Sequence, residues 1–93
     1  MTEVKVVFSH ALVSSTNNQR EVQTGGDSLR EVLEDLTKRF GDPFKKKLFD
    51  SDGRTKRFIN VYINGKDMRF MEGLETKLKN GDEILIIPAV SGG

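Results

Sequence analysis

The chain has 93 residues, 35% of them apolar and 31% charged, with 15 basic side chains against 14 acidic ones. That length supplies one hydrophobic core and no second, and a pI of 8.0 lies below the range that marks nucleic-acid binders. Cysteine is absent, which excludes disulfides, thiolate metal sites and cysteine nucleophiles; with no signal-like or bilayer-length apolar run, the expected setting is the cytoplasm, with neither membrane nor nucleic acid as partner.

Residues 3–9 (EVKVVFS) alternate, which puts Val4, Val6 and Phe8 on one face of a strand and Lys5, Val7 and Ser9 on the other. A polar loop is expected over 10–18, then a return strand over 20–24 with Val22 inward. Gly25-Gly26-Asp27 punctuates the chain. Ser28 and Glu31 have the spacing of a capping box. Leu29, Val32, Leu33, Leu36 and Phe40 then recur as one helical stripe, and Glu34–Lys38 and Asp35–Arg39 are acid-before-base pairs on the wet side. Gly41 and Pro43 end that helix. Residues 42–57 read as irregular, pinned by Phe44, Leu48 and Phe49, with a turn at Asp50–Gly53.

Residues 57–63 (RFINVYI) alternate again, with Ile59, Val61 and Ile63 on one face and Phe58, Asn60 and Tyr62 on the other. Asn64-Gly65 is a strong hairpin signal, so a short strand through 68–70 is expected to pair back. A single helical turn follows within 73–79, seated by Leu74 and Leu78. Asn80-Gly81-Asp82 leads into the last strand, 83–87, with Ile84 and Ile86 towards the helix and Leu85 and Ile87 away from it. The order β-β-α-β-β-turn-β predicts a two-layer α+β domain, a five-stranded mixed sheet with one main helix on one face. The last strand is expected beside the first, in parallel.

The apolar run Ile84–Ile87 stops at Pro88, and Ala89-Val90-Ser91-Gly92-Gly93 closes the sequence. Proline fixes φ and donates no hydrogen bond, so it marks where the strand leaves its sheet. Two glycines without side chains leave a terminal carboxylate free to enter a narrow tunnel. The expected division is a folded domain over 1–88 and a flexible tail over 89–93. Tyr62, Leu85 and Ile87, with Phe58 and Asn60 nearby, form a candidate docking patch on the uncovered sheet face, and Pro88, Ala89 and Val90 extend it along the tail.

Other motifs have plainer readings. His10 lacks a serine–aspartate setting and is a surface histidine. Asp50-Ser51-Asp52-Gly53 begins like a calcium loop, but Thr55 and Val61 occupy the positions that need glycine and glutamate. Gly25-Gly26 lacks the lysine of a phosphate-binding loop. Lys45–Lys47, Lys56 and Arg57, interleaved with Phe44, Phe49 and Phe58, are a weak nucleic-acid signal; those rings are better spent on the core. No metal set and no catalytic constellation emerges. Arg69 is left between a salt bridge and a partner contact.

The Asn80-Gly81-Asp82 turn, the apolar strand after it and the closing PAVSGG resemble the ubiquitin-like sulfur carriers of the MoaD and ThiS type, nearest to the branch that supplies sulfur for cysteine. The resemblance covers the whole element order and is sharpest over 57–93. It implies a β-grasp fold and a carrier that is not itself an enzyme and binds no cofactor. On that resemblance, an E1-like adenylyltransferase consumes ATP to adenylate Gly93, with Gly92 its slim neighbour. A sulfur donor then converts the adenylate to a thiocarboxylate. The sulfur passes to an acceptor enzyme, a cysteine synthase or the large subunit of a molybdopterin synthase. Three alternatives stay open: a modifier conjugated to target lysines, a small subunit of molybdopterin synthase, and an adaptor with an inert tail.

Overall fold

Strand β1 (Glu3–Phe8) buries every second side chain, Val4, Val6 and Phe8, and it pairs antiparallel with β2 (Glu21–Gly25) so that Val6 faces Val22. The computed structural model describes residues 2–88; the expected tail, 89–93, lies outside them. Between the two strands, residues 10–18 are not the plain polar loop that their composition suggests. His10–Ser15 winds into a 3-10 turn that buries Leu12, and the Thr16 hydroxyl, also buried, donates to the Gln19 carbonyl at 2.8 Å. One leucine gives no periodicity to read, and serine and threonine satisfy the local backbone themselves.

Helix α1 (Leu29–Phe40) buries Leu29, Val32, Leu33 and Leu36 against the sheet. Its cap forms with one change from the standard box. The Glu31 N–H donates to Ser28 Oγ at 3.3 Å, while the Glu31 carboxylate accepts from the N–H of Asp27, not of Ser28, at 2.9 Å. Ser28→Ala is expected to lower unfolding stability by about 1 kcal/mol, read as a shifted denaturant midpoint at unchanged slope. Of the two acid–base pairs, Asp35–Arg39 closes at 3.6 Å, and Asp35 also accepts the Thr24 hydroxyl.

A second helix, α2 (Asp42–Leu48), occupies a stretch expected to be irregular. Gly41, at φ 82°, turns the chain between the helices. Pro43 then sits in the first turn of α2, where its missing N–H costs nothing. Phe44 and Leu48, four residues apart on one face, are both fully buried. Phe44 packs on Phe8 and Phe40, with ring centroids 5.8 and 5.5 Å apart.

Strand β3 (Ile59–Ile63) starts two residues later than expected. The Asn64-Gly65 turn has φ 52° and 88°, the left-handed pair that matches strand twist in a tight hairpin. The returning strand β4 is only Lys66–Asp67; Met68–Phe70, expected as strand, is a 3-10 turn. Asp67 ends the pairing by capping that turn, accepting the Arg69 N–H at 2.8 Å. A further 3-10 turn at Gly73–Glu75 precedes β5 (Glu83–Pro88), where Leu74 is half-buried and Leu78 buried.

The sheet order is β2-β1-β5-β3-β4, with β5 parallel to β1 and antiparallel to β3. Both helices cover one face. This is the β-grasp arrangement, and the strand that leads to the tail lies at its centre.

Candidate functional site

Asn80-Gly81-Asp82 fixes where β5 begins. Asn80 Oδ1 accepts the Glu3 N–H at 3.0 Å, and the Gly81 N–H donates to the Glu3 carbonyl at 2.8 Å. Asp82 holds two neighbours: Oδ2 takes the Lys79 N–H at 2.8 Å, and Oδ1 takes the Asn64 side-chain amide at 2.9 Å. Asn64 Oδ1 in turn accepts the Glu83 N–H at 3.0 Å. Three residues thus tie the last strand to the start of β1 and to the β3–β4 hairpin, which sets the register that carries the chain to Pro88.

From there alternation does the sorting. Ile84 and Ile86 are buried under the helices, while Leu85 and Ile87 face outward and are half-buried. Leu85 stands between Val7 on β1 and Tyr62 on β3, and Ile87 stands opposite Asn60. The expected patch of Tyr62, Leu85 and Ile87 is therefore brought together, and Val7 completes its row across three strands. Val7 lies outside the expected patch, although the alternation of residues 3–9 sends it outward; the parallel placement of β5 beside β1 brings it into the row.

Polar residues frame the row. One step back along the strands, Lys5 and Glu83 pair at 3.2 Å. The lysine is held above its ordinary pKa, first by the hydrogen bond to Glu83 and then by the charge of Glu21. A raised ammonium stabilises the fold below the unfolded-state pKa and loses that effect as pH climbs through the folded value. The pair is therefore intact through the neutral range, and as an exposed ion pair it contributes little. On the other side the Arg69 guanidinium donates to Asn60 Oδ1 at 3.0 Å and to the carbonyls of Arg57 and Ile59 at 2.9 and 3.1 Å. Its role is to brace the loop entering β3.

Phe58 and Pro88 sit apart from that row. Phe58, 51% exposed, precedes β3 and joins Pro88 in lining a cleft at the end of β5. Ala89, Val90, Gly92 and Gly93, the other expected site residues, lie outside the described residues. His10 is exposed. Asp50 is occupied by its own turn, accepting the N–H groups of Asp52 and Arg54 at 2.9 and 3.1 Å. Phe44 is core and Phe49 packs at its edge.

The model of the ThiS family matches residues 6–93. The chain belongs to the ThiS family. Among its relatives in that family, the sulfur carrier protein CysO of Mycobacterium tuberculosis is 40% identical over 92 residues, covering 97% of this chain and 98% of its own. CysO of Amycolatopsis orientalis, solved in a complex with BexX, superposes with a TM-score of 0.85 at 36% identity, over 97% of this chain and 99% of that one. The small archaeal modifier protein 1 of Methanosarcina acetivorans gives a TM-score of 0.86 at 37% identity, over 100% and 98%. The ThiS-family match and the β-grasp sheet agree on the architecture that the sequence resemblance implies.

Proposed function

We propose that this sulfur carrier bears its cargo as a thiocarboxylate on Gly93, made by an E1-like partner at the cost of ATP. The observation that carries the reading is the course of β5. That central strand, clamped at Asp82 and flanked on both sides, ends at Pro88 beside an outward apolar row, five residues before Gly93. The family match, continuous to residue 93, supports the same assignment.

The chemistry needs little from the carrier itself. A carboxylate is a poor electrophile. Attack of the Gly93 carboxylate on the α-phosphorus of ATP expels pyrophosphate and leaves an acyl adenylate with a good leaving group. Sulfide then adds to the carbonyl carbon and expels AMP. The product thiocarboxylate is a soft nucleophile, ionised near neutral pH, which passes its sulfur to an acceptor. The carrier contributes reach and a docking face; ATP and any metal belong to the partner. Likeness to the CysO proteins favours a cysteine-forming acceptor over a molybdopterin synthase.

The test is intact mass after incubation with ATP, magnesium, sulfide and the E1-like enzyme of the same organism: a gain of about 16 Da, oxygen replaced by sulfur, is expected. No gain under conditions where that enzyme forms adenylate would overturn the reading. The face has its own test. Leu85→Asp buries a charge in the centre of the Val7–Leu85–Tyr62 row when the enzyme docks, so affinity for the activating enzyme is expected to fall about tenfold or more, with the far-ultraviolet circular dichroism retained.

A second reading draws on the likeness to the archaeal modifier protein. The same activated Gly93 would then acylate lysines of other proteins. Boil-resistant ladders that vanish without Gly93 would select it.

A further inference from the structure

We propose that a lysine-rimmed apolar cleft at the root of the tail is a second docking surface, one that receives an acidic segment from the rim of the enzyme that activates Gly93. This rests on the activation reading above. The cleft lies where the 3-10 turn at His10–Ser15, helix α2 and the start of β3 meet the end of β5. Its apolar walls include Leu12, Phe58, Ile59 and Pro88, and its charged lining residues are Lys46, Lys47 and Lys56. No acidic side chain lines it. Among the described residues no salt bridge engages any of these three lysines. Lys47 Nζ reaches only the Ala11 carbonyl and Ser14 Oγ, at 3.4 and 3.2 Å, and Lys56 Nζ lies 5.7 Å from the Phe58 ring centre.

Charge decides the class of occupant. The neighbouring hollow across α2 shares Lys46 and Lys56 with the cleft and adds Lys45, Asp42 and Asp50, so its charge is mixed. The charge lining the cleft at Pro88 is not, and cations converging on an apolar floor repel one another until an anion joins them. A carboxylate-bearing segment with an apolar side chain would satisfy both the rim and the floor. Position decides the source. Five residues separate Pro88 from the reacting carbon, a reach of about 17 Å at full extension. Any pocket that takes Gly93 therefore has its mouth within that distance of Pro88, which brings the rim of that pocket within reach of the cleft.

The test compares two charge reversals of equal size in the full chain. Lys46→Glu with Lys56→Glu alters the cleft; Lys77→Glu with Lys79→Glu alters exposed lysines that precede the opposite end of β5. ATP–pyrophosphate exchange by the E1-like enzyme of the same organism is followed against carrier concentration. The cleft variant is expected to raise KM for the carrier about tenfold, with most of the effect in KM and little in kcat. The unaltered chain is expected to show a rise in KM between about 50 and about 300 mM NaCl, and the cleft variant to lose it. The remote variant should match the unaltered chain, and Lys46→Gln with Lys56→Gln should fall between. Equal KM values for the two reversals overturn the cleft proposal alone. Absence of exchange with the unaltered chain overturns the activation reading, and this proposal with it. Amide shifts at Lys46 and Lys56 that change on deleting residues 89–93, without enzyme present, would assign the cleft to the chain's own carboxylate and also overturn the proposal.

Discussion

Deleting Gly93 is expected to abolish sulfur loading while leaving the folded body untouched. The shortened chain still ends in glycine, so carboxylate chemistry and slimness are both preserved. What changes is position: the terminal carbon retreats by about 3.5 Å. Misplacing a reacting group by about 1 Å can already cost a factor of about 100 in rate, so no 16 Da gain should accumulate on the time scale that loads the intact chain. The core ends at Ile86, and the thermal midpoint should match that of the intact chain. Affinity for the activating enzyme should survive in part, because the Val7–Leu85–Tyr62 row is unchanged. A shortened chain that loads at the normal rate would show that the sulfur sits elsewhere.

Phe44→Ala carries the largest expected effect on stability. The side chain is fully buried, and its ring meets Phe8 edge-on, at 79°, and Phe40 at 53°. Truncating a buried phenylalanine costs about 3–5 kcal/mol, part of it from the edge-to-face pair with Phe8, worth about 1 kcal/mol beyond area burial. Domains of this size hold only about 5–10 kcal/mol in total. The unfolding midpoint should drop by about 15 °C or more, whereas Lys46→Ala, two residues on in the same helix and exposed, should stay within about 0.5 kcal/mol of the parent. A Phe44→Ala protein that melts near the parent temperature would mean that α2 adds nothing to the core.

That helix also shows where sequence reading stops. Strands β1, β3 and β5 and helix α1 were legible because each repeats a strong apolar period with few interruptions. Helix α2 offers only two apolar positions on one face, Phe44 and Leu48, and Pro43 reads equally as the stop after α1 or as the first turn of a new helix. Apolarity alone sends Phe44 to the core, but it does not reveal the helix that carries it there. Met68–Phe70 failed for a related reason. Alternation continued on paper, but the Asp67 carboxylate found a backbone donor two residues ahead and ended the strand. For the site, Tyr62, Leu85 and Ile87 follow from period-two alternation alone. Val7 joins the row only when its outward face is combined with the expected parallel β1–β5 pairing, and the lysine cleft needs the packing of α2 beside Pro88, which local pattern does not supply. Arg69 pairs with Asp67 at 3.9 Å, but its three hydrogen-bond acceptors are an asparagine side chain and two carbonyls, none marked in sequence by a charge of opposite sign.

The most direct measurement is the mass of the last tryptic fragment. Cleavage after Lys79 releases residues 80–93 as one peptide, since no lysine or arginine follows. After loading with ATP, sulfide and the activating enzyme, that peptide should gain about 16 Da, and fragmentation should place the gain on Gly93. A gain on any other peptide, or an unchanged 80–93 fragment from a carrier that has demonstrably delivered sulfur, would contradict the assignment.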